Sequence, residues 1–146
     1  MKKIALTADH AGYHKKEKIK KYLIESGYEV KDFGTFSDES VDYPDFAHPA
    51  SQSVNSGEFD AGISICGSGN GINMTSNKYQ GIRSALCWNE EISRLARAHN
   101  DANICALPGR FVSDAEALLI VKTFLNTGFD GGRHKKRIDK IPLKKM

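Results

Sequence analysis

The chain has 146 residues, 40% hydrophobic and 27% charged, with a formal net charge of +3. That is the size and balance of one globular domain, able to bury about two-thirds of its unfolded surface. No apolar run approaches the roughly 20 residues of a membrane span, and Ile4–Ala8 is too short for a signal-peptide core. Three cysteines without a CxxC pair argue against a disulfide framework or zinc ribbon, so a cytoplasmic protein with no membrane partner is expected.

Lys3–Ala8 reads as a first strand. A helix is predicted over Tyr13–Ser26, closed by Gly27. Tyr28–Phe33 alternates as a second strand, and Asp42–Asn55 reads as a loop entering a helix with Pro44 in its first turn. Ala61–Cys66 is a buried strand, followed by the Gly-rich run Gly67–Gly71 and a helix to about Lys78. Ile82–Cys87 is a fourth strand, Glu90–His99 a helix, Asn103–Leu107 a fifth strand, and Ser113 caps a helix ending near Asn126. Strands apolar on both faces alternate with helices, which implies a parallel sheet covered on both sides. No repeat or linker divides the chain, so one domain over 1–146 is expected. Ligands in such folds bind beyond the carboxyl ends of strands. Asp9 and His10, Cys66–Gly71 and Arg110 all stand there.

Charge is uneven. Residues 131–146 hold seven Lys or Arg against one Asp, a net +6, so the rest of the chain carries −3. A basic end on an acidic body suits an anionic ligand, a nucleic acid or plain solvation.

The turn Cys66-Gly67-Ser68-Gly69-Asn70-Gly71 joins a buried strand to a helix. It is not a Walker A loop, which needs Gly-Lys-Ser/Thr. It is not a dinucleotide fingerprint, whose third glycine is replaced by Ile72, nor a cysteine phosphatase loop, whose arginine would also fall at Ile72. What remains is a thiol at a helix start beside an anion-binding turn. Such a setting favours the thiolate that a base or nucleophile requires, and the turn amides can hold an oxyanion. A buried structural cysteine is the competing reading, and it is the favoured one for Cys87 and Cys105. Asp9 is a candidate polar group or a helix cap. His99, at a helix end, is a candidate acid or a structural residue. Arg133 and Arg137, spaced i, i+4 after Gly131-Gly132, can grip a phosphate together or simply face solvent. His14 and His48 read as surface residues. No His, Cys or carboxylate group has metal-ligand spacing, so no metal and no cofactor are expected.

Five motifs occur together over essentially the whole chain: Asp9-His10-Ala11-Gly12, Asp42-Tyr43-Pro44-Asp45-Phe46-Ala47, Ile65-Cys66-Gly67-Ser68-Gly69-Asn70-Gly71, His99-Asn100-Asp101-Ala102-Asn103 and Gly131-Gly132-Arg133-His134. In order and spacing the set resembles the type B ribose-5-phosphate isomerases. The resemblance implies a three-layer α/β/α fold with a five-stranded parallel sheet in the order 2-1-3-5-4. It implies interconversion of ribose 5-phosphate and ribulose 5-phosphate without a cofactor. Cys66 would move the proton between C1 and C2, with Ser68 assisting, and amides of Gly67, Ser68, Gly69, Asn70 and Gly71 would hold the enediolate. His99 would open the furanose. Asp9, Tyr43 and Asn100 would bind hydroxyls, and His10, Arg110, Arg133 and Arg137 the phosphate. It also implies a homodimer or homotetramer with shared sites, His99, Asn100 and Arg110 coming from the neighbouring chain.

One subgroup of this family replaces the cysteine by a glutamate just after the turn; here Ile72 stands there, although the turn itself looks like that subgroup's. The related galactose-6-phosphate isomerase divides base and histidine between different subunits, whereas this chain keeps both. A six-carbon sugar phosphate, such as allose 6-phosphate, is the nearer alternative substrate. A sugar-phosphate sensor or a nucleic-acid binder is the remoter alternative, disfavoured because neither needs both Cys66 and His99.

Overall fold

The computed structural model describes residues 2–144. Lys145, counted above in the basic segment, lies outside them. Five strands form one parallel sheet: β1 (Lys3–Ala8), β2 (Glu29–Asp32), β3 (Ala61–Cys66), β4 (Ser84–Leu86) and β5 (Ile104–Pro108), in the order β2-β1-β3-β5-β4. The helices are α1 (Tyr13–Glu25), α2 (Tyr43–Asn55), α3 (Asn70–Ser76), α4 (Glu90–Ala98), α5 (Asp114–Asn126) and α6 (Arg133–Ile138).

The alternation of side chains along a strand sorts the core into two layers. Ile4, Leu6, Ile63, Ile65, Cys105 and Leu107 face α1, α4 and α5, meeting Ile19, Leu23, Ala96, Ile120, Val121 and Phe124. The intervening residues face α2 and α3, with Ala5 and Ile104 against Ala50 and Val54, and Cys66 and Ala106 against Ala47 and Ile72. The result is the three-layer α/β/α architecture expected from the sequence.

Helix ends follow local chemistry. Past α1, Gly27 takes φ 90° while its N–H reaches Ile24 O and the Tyr28 N–H reaches Leu23 O, a Schellman close. Ser113 and Glu116 form a reciprocal capping box at α5. The fourth strand is shorter than Ile82–Cys87 for an identifiable reason. At its start Asn103 Oδ1 accepts the Arg83 N–H in place of a main-chain carbonyl, while the Asn77 side chain takes both main-chain groups of Ser84 on the side of β4 that faces no strand. The same role for Asn77 ends α3 at Ser76, short of Lys78.

Among the described residues no helix is long and apolar enough to cross a membrane.

Candidate active site

Three neighbouring strands end together, and their turns are laced by main-chain bonds. Ile65 O accepts the Asp9 N–H at 3.1 Å, Cys66 O the Gly109 N–H at 2.8 Å, and Gly67 O the Arg110 N–H at 3.0 Å. Asp9, Cys66 and Arg110 are thereby fixed relative to one another by backbone.

Cys66 is 5% exposed, packed against Ala47, Ile72 and Ala106. The turn after it is shaped by Gly69, at φ 78°, where a Cβ would fall 2.4 Å from Leu86 Cδ1; only glycine fits a left-handed position this close to a neighbour. The N–H groups of Gly67, Ser68 and Gly69 donate to no main-chain carbonyl among the described residues, while Ser68 Oγ accepts the Asn70 N–H at 3.3 Å. A buried thiol therefore sits at the mouth of a turn with uncommitted donors, an arrangement able to remove a proton and hold the charge that develops.

Around this turn stand four further predicted residues. Asp9 is buried, and its Oδ1 accepts from Ala11 N–H (3.0 Å) and Gly12 N–H (3.2 Å). Asp9 does not cap α1, whose N-cap is Gly12 with no side-chain cap; these bonds close an Asx turn ahead of the helix with one oxygen and leave the other for a ligand. His10 Nδ1 accepts the Val41 N–H at 3.2 Å, which in the neutral ring puts the proton on Nε2, ready to donate. Tyr43, the first residue of α2, lays its ring over Gly71, where a Cβ would fall 2.5 Å from Tyr43 Cζ. The Arg110 guanidinium covers Gly67, with Nη1 3.1 Å from where a Cβ would be. The family resemblance takes Arg110 from the neighbouring chain; here it lies beside the Cys66 turn of its own.

The remaining predicted residues are elsewhere. Because β4 and β5 are parallel, α4 runs back between them and delivers His99 and Asn100 to the opposite edge of the sheet. The four steps between the first and last Cα of the five-residue β5 alone span about 13 Å at ~3.3 Å each, so His99 and Cys66 of one chain do not share a substrate atom. Asn100 O accepts from Arg83 Nε at 3.0 Å, and the buried Arg97 holds Asp101 Oδ1 at 2.8 Å, fixing the turn after α4. The Asp130 N–H bonds Ala98 O and brings α6 to this corner, with Arg133 and Arg137 exposed on it. The His134 ring stacks on His99 at 4.2 Å between centroids, with planes 12° apart. Loss of solvent, then the charges of His99, Arg133 and Arg137, hold the His134 pKa below the usual histidine value.

Reasoning from sequence missed Asp130 and His134 as partners of His99. Ligand atoms of the three lie within 4.8 Å of one another, a cluster that linear spacing does not reveal and that departs from the expectation of no such grouping. A cavity of about 690 Å³ also lies on this side, lined by Tyr79, Arg83, Asn100 and Leu143 among others. His14 and His48 are exposed, as expected, and Cys87 and Cys105 are buried. Burial, then a hydrogen bond donated by its own S–H to Cys87, drives the Cys105 thiol pKa well up, leaving it an inert core group.

Residues 4–141 match the family model described as Ribose/Galactose Isomerase. Ribose-5-phosphate isomerase B of Escherichia coli is 43% identical over 97% of this chain and 95% of its own. A ribose 5-phosphate isomerase structure from Thermotoga maritima superposes with TM-score 0.94 at 54% identity, covering 96% of this chain and 97% of that one. The Mycoplasma genitalium ribose-5-phosphate isomerase B structure with bound ribulose-5-phosphate gives TM-score 0.92 at 42% identity, covering 95% and 93%. The family match, the near full-length coverage and the fold likeness agree, and the chain belongs to the ribose/galactose isomerase family.

Proposed function

We propose that this protein is an aldose–ketose isomerase of the non-oxidative pentose phosphate pathway, interconverting D-ribose 5-phosphate and D-ribulose 5-phosphate. The observation that carries the reading is the buried Cys66 thiol opening on the uncommitted amides of Gly67, Ser68 and Gly69. A similar protein with ribulose-5-phosphate bound supports the substrate.

In this reading the Cys66 thiolate takes the proton from C2 of the open-chain aldose. The C2–H electron pair becomes the C1=C2 bond and the carbonyl pair moves onto O1, held by the turn amides, Asn70 and Gly71 included. Ser68 passes the O2 proton to O1, and return of the proton from Cys66 to C1 leaves the C2 ketone. Asp9, Tyr43 and Asn100 hold the hydroxyls; His10, Arg110, Arg133 and Arg137 bind the phosphate. His99 donates to the ring oxygen and opens the furanose.

Since His99, Asn100, Arg133 and Arg137 stand at the sheet edge away from Cys66, a complete site takes the second half from another copy. The protein acts as a homodimer, or as dimers paired into a tetramer. Because the base must remain a thiol, the enzyme belongs in a reducing compartment, the cytoplasm.

Two variants test the assignment. Cys66→Ala loses about 10²–10⁴-fold in kcat while still binding the sugar phosphate, as removal of a general base predicts. His99→Asn loses more with ribose 5-phosphate than with ribulose 5-phosphate, which cannot close a furanose ring. Near-normal turnover of Cys66→Ala would end the cysteine mechanism, there being only Ile72 where a glutamate could stand.

A further inference from the structure

At the corner formed by the end of α4 and the start of α6, His99 is joined by two groups the isomerase reaction does not use, Asp130 and His134. His99 and His134 are half-buried and Asp130 is exposed, and one ligand atom from each lies within 4.8 Å of the others. The three are joined by backbone as well as by proximity. His99 caps α4, the Asp130 N–H bonds Ala98 O at 2.9 Å, and the His134 N–H bonds Gly131 O at 3.1 Å. Two imidazoles and a carboxylate are the donor set of borderline divalent ions, with bonds of about 2.0–2.2 Å to zinc.

We propose that His99, Asp130 and His134 form an inhibitory site for a divalent transition ion of the zinc, nickel or cobalt class. The inhibition, though not the binding, rests on His99 being the ring-opening acid. A metal bound to the His99 nitrogen occupies the lone pair that would carry the proton to the sugar oxygen, so the loaded enzyme cannot open the furanose. Three features shape the site. The α4 C-terminus favours positive charge beside His99. Asp130 offsets one charge of the ion, while Arg133 and Arg137 nearby keep the affinity below that of a structural site. The near-parallel stack must open, because an ion lies in the plane of each ring it binds. His134 is itself only half-buried, so its ring has a solvent-facing side toward which to tilt. Hard ions such as magnesium, which prefer oxygen ligands, are rejected.

The test is calorimetric titration of the full-length, chelator-stripped protein with Ni²⁺, beside isomerase kinetics. Wild type and Cys66→Ser bind one ion per chain, and His134→Ala and Asp130→Ala bind roughly tenfold or more weakly. Ni²⁺ inhibits ribose 5-phosphate turnover in wild type, a chelator restores it, and the inhibition constant of His134→Ala rises by the same factor as its dissociation constant. Binding that survives both substitutions, or that disappears in Cys66→Ser, overturns the site. Binding at these three residues with undiminished turnover overturns the inhibitory role and removes His99 from ring opening. Absence of binding together with a crippled His99→Asn enzyme removes the metal site and leaves the isomerase reading intact.

Discussion

Lys16 is among the largest fully buried side chains of the described residues, and its ammonium meets Asp32 Oδ2 at 2.5 Å. Asp32, with a side chain 7% exposed, also accepts from Lys20 at 3.2 Å and from the Gly34 N–H at 2.8 Å. Asp32→Ala would leave the ammonium over the Tyr13 and Phe36 rings with one carboxylate, Glu17 at 3.0 Å, whose side chain is 41% exposed and whose field water screens. Removing one partner of a buried pair costs about 3–5 kcal/mol, out of a total near 5–15 for a domain. At roughly 2–4 °C per kcal/mol for this chain length, the melting temperature should fall by about 6–20 °C. The double variant Lys16→Met, Asp32→Leu, which removes both charges, should recover most of that loss. Burial alone would raise the Asp32 pKa, but hydrogen bonds from Lys16 and the Gly34 N–H, with the Lys16 charge, outweigh it and hold the carboxyl below its usual range. A depressed pKa contributes stability above the unfolded value of about 3.9, lost as pH falls through the lower folded value. The gap between wild type and variant should therefore close below about pH 4. Thermal melts at pH 7 and pH 3 measure both effects. A drop smaller than about 2 °C at pH 7 would refute the reasoning.

Two further outcomes concern the site. Gly71→Ala places a Cβ 2.5 Å from Tyr43 Cζ and must push the ring off the rim; KM should rise roughly 2- to 10-fold, the worth of one hydrogen bond, with little change in melting temperature. Arg137→Ala should raise KM for the sugar phosphate and lower kcat as well, since phosphate binding positions the reacting carbons. Replacing Lys135, Lys136 and Lys144 should leave kinetics within about twofold, as expected of solvated surface charges. Salt-sensitive nucleic-acid binding that weakens with each lysine removed, alongside normal kinetics of Arg137→Ala, would contradict the phosphate assignment.

Much of this was legible in the chain. Lys3–Ala8 and Ala61–Cys66 are strands over the predicted bounds because their mostly apolar residues put apolar side chains on both faces, and a central parallel strand buries both. Reading strand ends located Asp9, His10, the Cys66 turn and Arg110, because parallel order sends every such residue to one edge. The shortness of β4 was not legible, since it depends on the Asn103 side chain folding back to take the Arg83 N–H. Nor was the pairing of His99 with Asp130 and His134. That contact is made by the chain returning past α5 to bond Ala98 O, and no local spacing encodes it. The separation of His99 from Cys66 follows from topology alone, once α4 is seen to run antiparallel to the strands it joins.

That separation makes the central claim directly measurable. Cys66→Ala and His99→Asn proteins, each nearly inactive on ribose 5-phosphate, are mixed under conditions that allow subunit exchange, and isomerase activity is followed. In a mixed dimer one site combines both defects, while the other pairs an intact Cys66 with an intact His99. Random exchange makes half the dimers mixed, so activity should return to about a quarter of wild type. A mixture no more active than its two components would contradict a site built from two copies of this chain.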